Sequence, residues 1–414
     1  MKLLLRPTIP LLVTLVTLVA GCGGGSDVAV PVSSVSAIAP VSGVSTVAVI
    51  GDVPYGTTPT DTAQFQANPA FIAGINNDAD VSLVTHVGDI HSGKEYCTEA
   101  FDLGIFNQWK AFKTPLVFSP GDNEWADCHK VGQGGGSYNA AASNIDYLHL
   151  SYAEGDPLAN LSMVRSIFFP TPGKTLGAAM TVHSQATEYD TAHPSDSQYV
   201  ENVWFEKSQV LFVTLNIPGG SNNDEDIWYG APTVSNAQTQ ERLVRSAANL
   251  RWLDTAFARA RSNGDVGVVI QIQADMWHGE KGVTHLTGYK QFVDKIASNA
   301  ASFAKPVLLF NGDSHGYRSD NPLQAGAPCV AEVTSGAAAV ACSVAGSAVQ
   351  SYGTIDPYTN NQPGSNYNVP NFRRIVVHGG TTPLEYLKLT IDPAANAVNG
   401  TDAFGPFSWK RMKP

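Results

Sequence analysis

The stretch 115–125, PLVFSPGDNEW, joins a short apolar strand to an acidic turn. Its first four residues, PLVF, are apolar, which is typical of a short buried strand. Gly121 then allows a tight bend, and Asp122, Asn123 and Glu124 follow with no apolar residue between them. Gly and Asp are common turn residues, so one such turn says little about function. Its meaning depends on whether other strands of the chain end in the same way.

The same Gly-Asp ending occurs after four apolar runs of the sequence. The four pairs are Gly51-Asp52, Gly88-Asp89, Gly121-Asp122 and Gly312-Asp313. In a layered α/β fold, ligands bind in the crevice beyond the carboxyl ends of the parallel strands. Four carboxylates that converge there could not all stay ionised without a cation among them. The repeated turn therefore predicts a site for divalent metal ions at the C-terminal strand ends.

The secondary structure predicted along the chain alternates strands with helices, which indicates an α/β fold. Strands are predicted at 45–50, 81–87, 115–118, 209–216, 266–273, 306–310, 372–378 and 385–391, the last two finishing the core. Helices are predicted near 61–76, 101–112, 236–262 and 288–303. We therefore expect one domain over 45–414.

Five segments resemble, in order and in strand context, the motifs of calcineurin-like metallophosphoesterases, the superfamily that includes the purple acid phosphatases. They are GDVPY, VGDIHSG, PGDNEW, QADMWH and NGDSHGY. The resemblance implies a two-sheet α/β sandwich flanked by helices, with a dinuclear metal centre at the C-terminal strand ends. It also implies that a metal-activated hydroxide hydrolyses a small phosphorylated substrate, either a phosphomonoester or a phosphodiester.

The resemblance also implies a set of metal ligands. Asp52 would bind one ion and Asp89 would bridge two, whereas Gln273 stands where the family has a ligating His. The complete expected set is Asp52, Asp89, Asp122, Gln273, Asp275, Asp313 and His315. Because oxygen donors dominate this set, Mn, Mg, Ca or Fe ions are favoured over Zn.

Residues beside these ligands bear on catalysis and on substrate binding. Asn123 occupies the place of the family's assisting His, where it would contact the substrate without donating a proton. His91, two residues beyond the catalytic Asp89, could protonate the leaving group, although a solvent-facing loop histidine fits its position equally well. Ser221 and Asn222 belong to a Gly-rich loop that could line the substrate or could simply form a turn.

Two other functions remain open at this stage. NGDSHGY also resembles the motif of GDSL-type serine esterases, with Ser314 as the nucleophile, but those enzymes carry the motif near the N-terminus and the His far downstream. A non-catalytic lipoprotein that holds a metal or a nucleotide is the other alternative, because histidines are missing from three of the five motifs.

The N-terminus predicts an exported, lipid-anchored protein. Residues 1–21 combine Lys2 and Arg6 with an apolar run, and VAGC places small residues before Cys22, which resembles a bacterial lipoprotein signal. Lipidation of Cys22 would make 22–44 a flexible tether and would hold the protein in the cell envelope, facing the periplasm or the exterior. A plain secretory peptide is the alternative.

Composition and cysteine count narrow the possible partners. The chain has 414 residues, 43% of them hydrophobic, and its net charge of −11 comes without a Lys/Arg cluster, which argues against a nucleic-acid surface. A lipid at Cys22 would be its membrane contact, because the sequence beyond the N-terminus lacks an apolar run of about 18 residues. The spacing of the other four cysteines favours Cys97–Cys128 and Cys329–Cys342 disulfides among three possible pairings.

Overall fold

Two large β-sheets with helices on their outer faces, together with a small two-stranded sheet, make up the described chain. The computed structural model describes residues 43–223, 226–278, 283–345 and 367–414. The predicted signal peptide, the lipidation site Cys22 and the predicted linker up to residue 42 lie outside these ranges. The architecture confirms the two-sheet α/β sandwich that the motifs predict.

The strands of the described residues include the eight predicted ones, which lie at or near their expected positions. They are β1 (Ser45–Ile50), β2 (Val81–His86), β3 (Pro115–Phe118), β4 (Gly136–Asn139), β5 (Asn144–Tyr147), β6 (Leu176–Gly177), β7 (His183–Ser184), β8 (Val203–Lys207), β9 (Val210–Thr214), β10 (Gly267–Gln271), β11 (Val307–Asn311), β12 (Arg318–Asp320), β13 (Val330–Ala331), β14 (Val340–Ala341), β15 (Phe372–Val376), β16 (Tyr386–Ile391), β17 (Ala403–Phe404) and β18 (Phe407–Met412).

The helical segments include the four predicted ones. They are α1 (Ala63–Asn77), α2 (Glu99–Trp109), α3 (Pro157–Phe168), α4 (Gln185–Glu188), α5 (Gly219–Asn223), α6 (Asn236–Asn263), α7 (Lys290–Phe303) and α8 (Cys342–Ala345). Short 3₁₀ segments lie at Val131–Gln133, Pro194–Gln198, Trp228–Gly230 and Val283–Tyr289. The segment α5 is a left-handed turn, with φ near +60° at its three central residues. Within the described ranges, no helix is both long enough and apolar enough to span a bilayer.

The order of strands brings the four Gly-Asp turns to one end of the sandwich. The first sheet runs β17-β18-β16-β1-β2-β3-β6, and its β1, β2 and β3 are parallel. The second runs β14-β13-β12-β15-β11-β10-β9-β8-β7, and its β9, β10, β11 and β15 are parallel. The carboxyl ends of both parallel sets therefore supply the loops of the site.

Three apolar layers hold these elements together. Val49, Phe212 and Phe310 belong to the layer between the sheets. The helices α1, α2 and α3 pack on the outer face of the first sheet, and α6 and α7 pack on the second. The prediction that the strand at 385–391 finishes the core was wrong, because β18 adds a further strand beside β16. Phe407 and Trp409 of β18 are buried, and Ser408 and Lys410, which alternate with them, are exposed, as expected of a half-buried strand.

Both predicted disulfides are present. Cys97–Cys128 joins the loop that follows β2 to the loop that follows β3, and Cys329–Cys342 closes a local loop in the second sheet. The first bridge thus ties together the two segments that carry Asp89 and Asp122, which lie at the candidate site.

Candidate active site

The Gly of one Gly-Asp turn leaves room for the Asp of another. A Cβ at Gly312 would overlap the carboxylate of Asp52, and a Cβ at Gly121 would overlap that of Asp89. The backbone N–H of Asp313 donates to Asp52 Oδ1 at 2.9 Å, which links the two sheets at this point. The glycine of the Gly-Asp pair therefore does more than form a turn. At Gly121 and Gly312 it leaves the space in which the aspartate of a neighbouring turn packs.

Asp52, Asp89 and His315 form a candidate metal-ligand group, with one donor atom of each within 4.8 Å of the others. Both carboxylates are buried, and His315 Nε2 lies 3.5 Å from Asp52 Oδ1. Asp52 Oδ2 is buried and has no hydrogen-bond partner. Burial and the neighbouring carboxylates raise the pKa of Asp52 and of Asp89 well above the usual range. A hard divalent cation would relieve this cost, so these residues fit such an ion.

Gln273 lies between the carboxylates of Asp89 and Asp122. Its Nε2 donates to both, at 3.0 Å in each case, and its Oε1 accepts from the backbone N–H of Gly219 at 2.6 Å. In this arrangement the amide oxygen of Gln273 is engaged by Gly219 and its N–H groups face the carboxylates, while its role as a metal ligand stays a prediction. Asp122 and Asp313 both line the cavity beside this amide.

Asp275 is paired with an arginine that also contacts Asp320. Arg374, itself buried, forms an ion pair with Asp275, and Ser314 Oγ donates to Asp275 Oδ2 at 2.7 Å. Although burial opposes ionisation, the guanidinium of Arg374 holds the pKa of Asp275 below its usual value. The charge of Asp275 thus already has a partner, and its role as a metal ligand stays a prediction.

The hydrogen bond of Ser314 bears on the serine-esterase alternative. Its hydroxyl donates to Asp275, and that carboxylate is held by Arg374. A serine esterase needs a neighbouring base that accepts the hydroxyl proton, usually an imidazole. The hydrogen bond observed for Ser314 instead fixes the loop that carries Asp313 and His315, which disfavours the esterase alternative.

Tyr55 belongs to the site although the sequence did not single it out. Its hydroxyl donates to Asp89 Oδ2 at 2.8 Å and accepts from Asn123 Nδ2 at 3.1 Å, while Asn123 Oδ1 accepts from Gln133 Nε2 at 2.8 Å. Burial and the charges of Asp89 and Asp52 raise the pKa of Tyr55 well above its usual value, so it stays a donor. A hydroxyl three residues after Asp52, in the same polar turn, was the available signal.

His91 does not reach the cavity, which contradicts its predicted role as a proton donor. It is fully buried, its ring stands edge-on to Phe101 with 5.5 Å between centroids, and its Nδ1 lies 3.2 Å from the carbonyl oxygen of Ser92. Burial lowers the pKa of His91 to about 4. The ring therefore packs behind the loop that follows Asp89, as a neutral core side chain.

Ser221 and Asn222 are also buried rather than exposed to a substrate. Asn222 bonds to Ser246 and Arg245, and Ser221 lies against Gly288, which has no room for a Cβ there. Their predicted contacts with the substrate are contradicted, because the left-handed turn directs both side chains into the protein. Gly220 of the same turn does line the cavity.

A polar cavity of about 510 Å³ opens above these residues. The ligand-group members Asp89 and His315 line it, and Asp52 lies buried behind them. Lys94, Lys130 and His278 also line this cavity. Lys130 bonds to Asp127 at 2.6 Å and to Asp226 at 2.9 Å, so much of its charge is balanced. Several aspartates line the cavity as well, so a small anionic molecule would fit a space of this size with a cation bound at the carboxylates.

The chain is similar to a known protein in its structure. No protein-family model matches the chain, and no curated protein matches it. The chain is similar to the solved structure of purple acid phosphatase PPD1 from yellow lupin (Lupinus luteus) seeds, with a TM-score of 0.37 and 12% sequence identity. The match covers 90% of this chain and 52% of that chain, so this chain spans about half the length of its neighbour. The residues of the site itself must therefore carry any functional argument.

Proposed function

We propose that this protein is a metal-dependent hydrolase of phosphate esters, similar to the calcineurin-like metallophosphoesterases. The observation that carries the proposal is the candidate ligand group of Asp52, Asp89 and His315 beside a polar cavity. Buried carboxylates with raised pKa values, one of them with an unpartnered oxygen, are costly unless a cation offsets them.

In this proposal Asp52, Asp89 and His315 hold a divalent ion, and Mn, Mg, Ca or Fe suit the oxygen-rich donors better than Zn. The ion would supply Lewis-acid chemistry toward the phosphoryl group and activation of water. Tyr55 orients Asp89 through its hydroxyl, and Asn123 directs its amide toward Tyr55 and the cavity. The resemblance of the sequence motifs to the family predicts two such ions.

The substrate in this proposal is a small phosphomonoester or phosphodiester. The cavity of about 510 Å³ has the volume for one, and Lys94 at its wall, together with the bound cation, would attract the negative charge. We also propose that the protein works in the cell envelope, anchored by a lipid at Cys22. Two disulfides support export, because such bridges persist in oxidising compartments.

The test is an assay of purified protein on an aryl phosphate and a bis-aryl phosphate. Chelator should abolish hydrolysis, and one or more of Mn²⁺, Mg²⁺ or Ca²⁺ should restore it, whereas Ser314→Ala should keep most of the activity. Chelator-resistant cleavage of carboxyl esters that requires Ser314 would overturn the proposal in favour of the esterase. Metal binding without turnover on any phosphate ester would favour the non-catalytic alternative.

A further inference from the structure

We infer that the site holds one divalent ion rather than two, and that Gln273 occupies the place of the second. The inference rests on the proposed function and refines it. Asp52, Asp89 and His315 provide one position in which three donor atoms converge. The other position, between Asp89 and Asp122, is filled by a side chain that donates hydrogen bonds.

A second ion would need lone pairs of Asp89 and Asp122 that point to one place. Gln273 Nε2 already lies 3.0 Å from Asp89 Oδ2 and 3.0 Å from Asp122 Oδ1, so one amide nitrogen bridges both carboxylates. The two N–H groups of a primary amide can satisfy two carboxylates in this way. They offset the repulsion between the carboxylates without a cation and exclude an ion from the same space.

The amide of Gln273 is fixed in this orientation by the backbone. Its Oε1 accepts from Gly219 N–H at 2.6 Å. If the amide turned over, its NH₂ would face the N–H of Gly219, and its oxygen would face two carboxylates. Both contacts would be repulsive, so the observed orientation is the one that satisfies all four groups.

Gly219 is in turn held by the left-handed turn Gly219–Asn223 (α5). Ser221 and Asn222 have φ of +58° and +60°, an uncommon conformation for residues with a side chain. Such a conformation persists where its surroundings determine it. A Cβ at Gly219 would overlap the Asp122 carboxylate, so the backbone of the turn packs directly against that side of the site.

Arg245 of α6 clamps this turn from inside the protein. It is fully buried, and its Nη1 donates to Asn222 Oδ1 at 2.6 Å and to the Asn216 carbonyl at 3.0 Å. Its Nε also contacts Glu241 Oε1 at 2.5 Å, which balances its charge. Hydrogen bonds therefore hold Arg245 to Asn222, and the backbone of the turn connects Asn222 to Gly219, whose N–H is bonded to Gln273.

The experiment measures how many Mn²⁺ ions the metal-free protein binds, by calorimetric titration and by elemental analysis after dialysis. We expect one ion per chain, and an electron paramagnetic resonance spectrum of an isolated Mn²⁺ rather than a coupled pair. Asp122→Asn should still bind one ion. Gln273→His, which supplies a ring nitrogen lone pair in place of the amide, should bind two. Gln324→His, the same substitution elsewhere in the chain, should bind one.

The outcomes separate this inference from the proposed function. Two ions in the unmodified protein, or loss of an ion in Asp122→Asn, would overturn the inference and leave the proposed function intact. A single ion in folded Gln273→His, with folding checked by circular dichroism, would overturn the role given to Gln273. No bound ion in the unmodified protein would overturn the proposed function itself.

Discussion

Gly312 and Asp52 lie just after strands that belong to different sheets. The absence of a side chain at Gly312 provides the space that the Asp52 carboxylate occupies. The neighbouring N–H of Asp313 donates to the same carboxylate at 2.9 Å. The position of a candidate metal ligand therefore depends on a glycine that contributes no functional group.

We expect Gly312→Ala to displace the Asp52 carboxylate. Overpacking of this kind costs roughly 1–3 kcal/mol of stability, and the displaced ligand should weaken Mn²⁺ binding by about 10–100-fold. Gly316→Ala, in the same loop, is the matched control, because a Cβ there would meet its nearest atoms at 4.0 Å. Calorimetric titration of both variants measures the effect. Equal affinities in the two variants would contradict the packing argument.

Asp89 and Asp275 should respond differently to the loss of their charge. Asp89→Asn is expected to remove the bound ion, because Asp89 belongs to the candidate ligand group. Asp275→Asn should keep the ion but lower the free energy of unfolding by roughly 1–3 kcal/mol, because it weakens the ion pair with Arg374. Metal analysis and urea unfolding of both variants give the comparison. An Asp275→Asn protein that folds normally and binds no metal would place Asp275 in the ligand set.

Hydrolysis should depend strongly on the leaving group. Asn123 cannot protonate a departing alkoxide, and His91 is buried away from the cavity. General-acid help contributes about 10²–10⁴-fold, so alkyl phosphates should be slower than aryl phosphates by at least that factor. Asn123→His should reduce the difference, and His91→Ala should leave the ratio unchanged. If the unmodified protein hydrolysed aryl and alkyl monoesters with similar kcat values, a proton donor would have to act on the leaving group, which would contradict this prediction.

Asp265 should make stability depend on pH at a place remote from the site. Burial, together with the charge of Glu206, raises the pKa of Asp265 to about 7. Its folded-state pKa lies above the unfolded value of about 3.9, so the folded protein holds a proton that the unfolded chain has lost. The free energy of unfolding should therefore fall between about pH 4 and pH 7, by at most about 1.4 kcal/mol per pH unit.

Asp265→Asn should remove this contribution and stabilise the protein most above pH 7. Urea unfolding of metal-free protein, repeated from pH 4.5 to pH 8, measures the slope for both proteins. A slope that is the same with and without the Asp265 carboxyl group would contradict the expectation.

The sequence predicted the parts of the site that depend on local chemistry. An apolar run followed by Gly-Asp specifies a strand and its turn within a few residues, so β1, β2, β3 and β11 and their carboxylates could be anticipated. The two disulfides followed from cysteine count and spacing. Convergence of the turns followed from the rule that parallel strands present their carboxyl ends at one edge.

The sequence could not predict the roles of site residues whose hydrogen-bond or packing partners lie far away along the chain. Gln273 is a donor because Gly219, 54 residues earlier, takes its oxygen, and Asp275 is paired with Arg374, 99 residues later. His91 is buried because its ring meets Phe101 of α2. In each case the residue type allows several roles. The role is determined by packing against residues distant in the sequence, and the spacing of motifs does not predict such contacts.

The most direct test of the central claim is an anomalous-difference map from a crystal of the protein soaked in Mn²⁺. We expect one strong peak within coordination distance of Asp52, Asp89 and His315, and no peak between Asp89 and Asp122. A second peak between those two carboxylates would contradict the one-ion inference alone. A map with no peak at Asp52, Asp89 and His315 would contradict the account of this protein as a metal-dependent phosphoesterase.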